Sequence, residues 1–341
     1  MKRVITTSDN FRNSKICGFN FFNAKKELPP IENFDSLMRT NANHARVWLA
    51  PIKDQNDYLI SPEQLDRMEL GVKLLQQRGM KAIIVVGLED FRDSPWTSRR
   101  RLGFTRMWRS LAVRFKDNPG VAAFDLLNEP LPMEPGAETY GYSVKQMENV
   151  ARDWRALAIT VITSIRSVDK YRCIVYEVGL GADPSQFKSE PLPLSNIVYS
   201  FHFYHPHSFT HQNVQNWGGT LERPVPLSRA DAAIIANSMT AIENALPGEA
   251  KYCGEFSAIN IAANNDSTTY VSIVVDRLIK AGISWSYHDW RGWYGWDSEA
   301  VPNGLPGFTR SSTAPTVSVL TKACNRSLNV SNGNTDSYVS S

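Results

Sequence analysis

The chain has 341 residues, 42% of them hydrophobic and 21% charged, and carries a net charge of +3. That length suits a single α/β barrel, which commonly runs to about 250 residues or more. The charge is too near neutral to argue for nucleic acid or an acidic membrane surface as a partner, and no apolar run reaches the roughly 18 residues that a membrane span needs.

The opening "MKRVITTSDN" has basic residues but no apolar stretch behind them, so no signal peptide is legible in the given chain. Of the four cysteines, Cys17, Cys173 and Cys253 lie in apolar, strand-like runs ("KICGFNFF", "YRCIVYEV", "YCGEF") and Cys324 lies near the end. None shows a metal-type C-x-x-C spacing, so all four read as buried free thiols. The segment "SPEQLDRMELGVKLLQQRG" predicts a helix. Ser61 is its N-cap, Pro62 its first position, Gln64 the partner in a capping box and Gly79 its C-cap glycine. The β-branched run "KAIIVVG" follows at once, as a buried parallel strand should.

The same alternation recurs along the chain. Strand-like runs fall near 15–20, 43–50, 81–88, 121–128, 171–178, 196–204, 251–256 and 283–288, with helical patterns such as "RADAAIIANSMTAIENAL" and "DSTTYVSIVVDRLIKAG" between them. Eight strands at this spacing predict a single-domain α/β fold, a (β/α)₈ TIM barrel over residues 1–325. The polar, Ser/Asn-rich segment 326–341 reads as a flexible tail.

In such a barrel, polar residues at the C-terminal ends of strands face a shared active-site mouth. "FDLLNEP" puts Asn128 and Glu129 after the fourth strand, and "KYCGEF" puts Glu255 at the end of the seventh. "NHARVWLA" carries Arg46 and Trp48, "IVYSFHFYHPH" carries His202 and Tyr204, and "GISWSYHDW" carries Trp285. Two carboxyl groups on separate strands suit glycoside hydrolysis. One protonates the leaving oxygen, and the other attacks the anomeric carbon or activates a water.

"FDLLNEP", "HFY", "CGEF" and the Trp of "ISWSY" resemble family 5 of the glycoside hydrolases, in the clan of retaining (β/α)₈ glycosidases. The resemblance extends over roughly residues 15–325. It implies Glu129 as acid/base and Glu255 as nucleophile, Asn128 on the sugar 2-hydroxyl, and Arg46 and Tyr204 holding Glu255. It also implies that His202 lines the site and that Trp285 stacks under the sugar next to the cleavage point. It implies an endo-β-1,4-glucanase, with β-mannanase and β-1,3- or mixed-linkage glucanase as alternatives. No cofactor is implied, the partner is a polysaccharide or oligosaccharide, and the chain is expected to be a monomer that is secreted or periplasmic. One departure stands out: the family usually has a histidine at the end of strand three, where "IIVVGLED" offers Glu89 or Asp90.

Two clusters add candidates. Four histidines crowd "HFYHPHSFTH", but the spacing does not read as a helix-face ligand pair and Pro206 interrupts it, so the run reads as a loop lining the groove, with His205 as a contact and no metal. Four tryptophans crowd "WSYHDWRGWYGW". At least one of Trp290, Trp293 and Trp296 is expected to wall the cleft, since flat aromatic rings suit the C–H faces of sugars. Trp48 and Trp96 are further candidates. The basic stretch "RDSPWTSRRRLGFTRMWR" reads as a solvated helix face. From other classes, a non-catalytic carbohydrate-binding barrel and a metallohydrolase using the histidine cluster stay open.

Overall fold

The computed structural model describes residues 6–331, apart from 55–56, 88–96, 131–143, 188–189, 213, 215–224 and 304–306. Each of the eight apolar runs forms a strand. These are β1 (Cys17–Asn23), β2 (His44–Leu49), β3 (Lys81–Val86), β4 (Val121–Asp125), β5 (Cys173–Glu177), β6 (Ile197–Phe203), β7 (Ala250–Phe256) and β8 (Ser284–Tyr287). They close into one barrel in chain order, every neighbouring pair parallel. Helices α1 (Ile31–Met38), α2 (Pro62–Gln76), α3 (Ser98–Phe115), α4 (Val144–Arg166), α5 (Arg229–Asn244), α6 (Asp266–Lys280) and α7 (Pro315–Ser331) return the chain between strands or close it after the last. After β5 the connection is a single turn, Gly179–Ala182, and a 3₁₀ turn, Pro184–Gln186. The fold is a (β/α)₈ barrel in one domain. No helix among the described residues is long and apolar enough to cross a membrane.

Strand alternation sorts the side chains. Phe19, Val47, Ile84, Phe124, Tyr176, Phe201 and Trp285 point out into the layer shared with the helices. Inside, Ile83, Ala123, Cys173, Val175, Val198, Ala250 and Tyr252 fill the lower barrel, and Phe11 closes it from below. All four cysteines are buried and free.

Two local readings need correction. Ser61 does cap α2, its hydroxyl accepting from the Gln64 amide. The Gln64 side chain, however, brackets the backbone of Ala50, accepting from its N–H and donating to its C=O at 3.0 and 3.1 Å. The cap therefore also fixes the chain as it leaves β2. At the other end, α7 runs through residue 325 to Ser331, so the boundary drawn from composition falls inside a helix. Val317, Leu320, Ala323 and Cys324 bury its first turns. Beyond the boundary Ser327 is buried with its hydroxyl 3.2 Å from that of Ser14, and Arg326 bonds Asp276, so tertiary contacts outweigh the local polarity. The basic face of α3 is tied to its neighbours, Arg114 to Asp66 and Glu69 and Arg101 to Asp153.

Candidate active site

Above the apolar layer the barrel interior turns polar. Arg46 points inward from β2, fully buried, and every direction of its guanidinium is answered. Nε donates to Asp125 at 2.8 Å, Nη1 to Asn20 and Glu255 at 2.8 Å each, and Nη2 to Asn128 at 3.0 Å and Glu177 at 2.6 Å. A buried cation surrounded in this way is held by charge and geometry together.

Glu255 is brought to the same layer by an irregularity. The pairing of β6 with β7 runs from Phe201 opposite Cys253 directly to His202 opposite Glu255, skipping Gly254. That extra residue reverses the alternation, so Glu255 faces inward instead of outward. Asn20 fastens the bulge, its amide donating to the Gly254 carbonyl at 2.9 Å. One Glu255 oxygen accepts from Arg46 and the other from the Tyr204 hydroxyl at 2.8 Å. His202 and His288 approach at 3.7 and 3.5 Å. Burial disfavours the charge, but the positive fields of His202, His288 and Arg46 and the Tyr204 hydrogen bond overcome it, holding the carboxyl at about 2.

Glu129 follows β4, about a third exposed, with one oxygen 2.9 Å from His202 Nδ1. One oxygen each of Glu129 and Glu255 and a ring nitrogen of His202 lie within 4.8 Å of one another. His202 is buried, which opposes its charge. The facing carboxylates of Glu255 and Glu177 and the bond to Glu129 nevertheless push its pKa well above the usual histidine range. Asp125 moves the other way for a carboxylate, raised by burial and by the charge of Glu177.

The structure thus gathers Arg46, Asn128, Glu129, His202, Tyr204 and Glu255 at one mouth. Trp285 is not among them. It pairs with Cys17 and Cys253 in mid-strand, points outward, and packs edge-on against Phe256 with no exposure. Strand parity decides this, and the residue that β8 delivers to the mouth is His288. Trp290 is also packing: it is buried, edge-on to Phe19, and its indole donates to the Asn33 carbonyl. Trp296 does reach the site, its ring 5.8 Å from Tyr204 and 5.6 Å from His288, with Trp293 4.9 Å behind it. Trp48 lies half-buried at the end of β2, stacked by the Arg46 guanidinium at 4.8 Å and edge-on to His288. His205 turns away, contacting Asp183 at 3.2 Å and Ser238 at 3.3 Å. His207–Thr210 form one helical turn, so His207 and His211 do stand a turn apart, their Nδ1 atoms at 3.2 Å. Burial lowers both pKa values, that of His211 to about 4, and leaves neutral imidazoles. Glu89, Asp90 and Trp96 lie outside the described residues.

Asn20, Asp125, Glu177 and His288 are missed from the sequence, although Asp125 and Glu177 prove to be the last residues of β4 and β5. Three of them were legible as lone polar residues inside otherwise apolar runs, where an unpartnered group would be costly. The group of described residues best placed to hold a metal ion is Glu129, His202 and Glu255, the same groups that the two-carboxylate chemistry employs.

Comparison with known proteins gives the family and supports the fold. The cellulase profile, glycosyl hydrolase family 5, matches residues 8–293. Endoglucanase B of Clostridium cellulovorans is 25% identical over 221 residues, 62% of this chain and 49% of that protein. Cellulase/esterase CelE of Acetivibrio thermocellus is 25% identical over 259 residues, 72% of this chain and 30% of that one. The chain therefore spans about half, or less, of these two relatives. Among solved structures, endoglucanase Cel5A from the hyperthermophilic Thermotoga maritima superposes with a TM-score of 0.73 at 21% identity, covering 92% of this chain and 100% of that one. A lichenase from Caldicellulosiruptor sp. F32 gives 0.72 at 16% identity, covering 93% and 95%. At these identities the superpositions speak for the fold alone. The profile, which takes in all eight strands and both strand-end glutamates, identifies the chain as a member of glycosyl hydrolase family 5.

Proposed function

We propose that the chain is a retaining glycoside hydrolase acting on a β-linked glucan, as an endo-β-1,4-glucanase, with Glu255 as nucleophile and Glu129 as acid/base. The observation that carries this is the placement of the two carboxyl groups, with oxygens within 4.8 Å of each other across the mouth. Retaining enzymes hold the two carboxyl groups about 5–5.5 Å apart and inverting ones about 6.5–9.5 Å to admit a water. A pair of facing oxygens within 4.8 Å favours the shorter spacing.

The surroundings suit the two roles. Glu255, with its pKa held at about 2, is an anion at neutral pH and both its oxygens are oriented, by Arg46 and Tyr204. Its attack on the anomeric carbon breaks the glycosidic C–O bond, and the leaving oxygen takes the proton of Glu129. The resulting glycosyl ester is then opened by a water that gives its proton back to Glu129 and frees Glu255. Asn128, held by Arg46 and partly exposed, is available to the sugar 2-hydroxyl. Trp296 and Trp48 supply flat faces, each in edge-on contact with His288.

The names of the curated relatives favour β-1,4-glucan as substrate. The same fold holds mannotriose in the Thermotoga enzyme and serves a lichenase, so mannan and mixed-linkage glucan belong in the test. Reducing-end release from a panel of soluble β-glucans and mannans should show one preferred polymer. Glu129→Gln and Glu255→Gln should each lose about 10²–10⁴-fold or more of that activity. Variants that matched wild type would overturn the assignment, and an α-anomer released first from a β-linked polymer would replace retention by inversion.

A further inference from the structure

β5 ends in Glu177, a fully buried carboxylate for which the family resemblance supplies no role. Its Oε2 accepts the backbone N–H of Glu129 at 2.7 Å, and its Oε1 accepts from Arg46 at 2.6 Å. His202 Nε2 lies 3.4 Å from Oε1, an ion-pair contact. From behind, the Trp154 indole of α4 donates to the Glu177 carbonyl at 2.8 Å and pins the strand end. Glu129 itself has φ +47°, a left-handed conformation that a residue with a Cβ rarely adopts unless its surroundings hold it there. Glu177 therefore touches the backbone of one strand-end glutamate, that glutamate's imidazole partner, and the arginine that orients the other glutamate.

We propose that Glu177 is a positioning residue for the reaction: it clamps Glu129 in its left-handed turn and, through His202, controls the proton that Glu129 shares. The proposal rests on the reading of Glu129 as acid/base. The bond to the Glu129 amide is short and charge-assisted, so it fixes where that side chain starts. The chain Glu177–His202–Glu129 joins two carboxylates through one ring, with Nδ1 toward Glu129 and Nε2 toward Glu177. An N–H on Nδ1 occupies one Glu129 oxygen and leaves the other for the leaving group. The charged groups facing His202 are Glu129 and Asp125 after and on β4, Glu177 on β5 and Glu255 on β7, with Arg46 on β2 bonded to three of them. These carboxylates keep His202 protonated above its usual range against the cost of burial. Removing the charge of Glu177 takes away one of them, so His202 should lose its proton at lower pH.

The test compares two substrates that differ in their need for an acid. A polymer's leaving sugar must be protonated, whereas dinitrophenolate leaves without help. Wild type, Glu177→Gln and Glu177→Asp are assayed for kcat/KM on the preferred polymer and on the dinitrophenyl β-glycoside of the disaccharide that wild type releases. Gln keeps the shape and loses the charge; Asp keeps the charge and cannot span the same distances, and it serves if the Gln variant does not fold. Expected is a loss of about 10- to 100-fold on the polymer with less than about 3-fold on the aryl glycoside. The alkaline limb of the polymer profile should also move to lower pH in the Gln variant. Equal losses on both substrates with an unmoved limb would overturn the proposal, since a merely structural residue would act that way. Glu129→Gln on the same pair separates the two readings. If it spares the aryl glycoside while the Glu177 variants do not, only the positioning role fails; if it does not discriminate, the acid/base assignment fails with it.

Discussion

Tyr204 donates to one oxygen of Glu255 and Arg46 to the other, so neither oxygen of this carboxylate is left without a partner. Because the pKa in the fold is about 2 against an ordinary 4.5, the ionised form contributes stability above pH 4.5, and that contribution is lost as pH falls from 4.5 toward 2. Activity depends on the folded-state value alone, so Glu255 should give no acid limb above about pH 3. Tyr204→Phe removes a hydrogen bond to a charged group, worth about 1.5–3 kcal/mol. We expect kcat/KM to fall roughly 10- to 100-fold and the acid limb to move upward, measured between pH 3 and 8. An unchanged limb would show that Tyr204 binds sugar and does not hold the carboxylate. Arg46, Tyr204 and both glutamates were legible in the sequence as polar residues at strand ends. Asn20, Asp125 and Glu177 were legible only as lone polar residues in apolar runs, with nothing in the runs to say that they share one inward-facing layer. The inward set of a strand depends on its parity, which a short apolar run on its own does not reveal.

At the level of the element, parity accounts for the main error and for the main device. Trp285 is one step out of phase with the barrel interior, so the aromatic expected under the sugar is in the outer layer and β8 offers His288 instead. Glu255 would have been out of phase too, but for the extra residue at Gly254. The bulge was illegible in "YCGEF", because a glycine inside an apolar run can mark either a bulge or a close packing contact. Here it is both. A Cβ on Gly254 would meet Ser200 Oγ at 2.9 Å and His202 Nε2 at 3.1 Å. Gly254→Ala should therefore displace the ring that bridges Glu129 and Glu177. We expect a stability loss of about 1–3 kcal/mol and a fall in kcat larger than any change in KM, read by thermal melts and steady-state kinetics on the same preparation. A normal kcat with a lowered melting point would mean that His202 yields without consequence.

Over the whole molecule, the barrel is layered along its axis, and the layers divide the tasks of stability and chemistry. The charged layer of Arg46, Asp125, Glu177, His202 and Glu255 does not supply the apolar burial that stabilises a core, and buried ion pairs often stabilise little net of desolvation. The apolar layer beneath it does, and its floor is Phe11, delivered by the 3₁₀ turn Ser8–Phe11 ahead of the first strand. Phe11 is fully buried and edge-on to Tyr252 at 5.6 Å, and its carbonyl accepts from Ser284 Oγ at 2.8 Å, joining the N-terminal segment to β7 and β8. The Tyr252 hydroxyl in turn meets His44 at 3.1 Å, two residues below Arg46. Burial and the nearby Arg46 hold His44 at about 3, so a neutral ring separates the floor from the charges above. Phe11→Ala should open a cavity at the base and cost about 3–5 kcal/mol, lowering the melting temperature by about 5–10 °C. Because the neutral His44–Tyr252 pair stands between floor and site, kcat at 25 °C should stay within about threefold of wild type. A variant that melted normally but lost kcat would show that the floor sets the geometry of the charged layer, and stability and chemistry would then not be separable along the barrel axis.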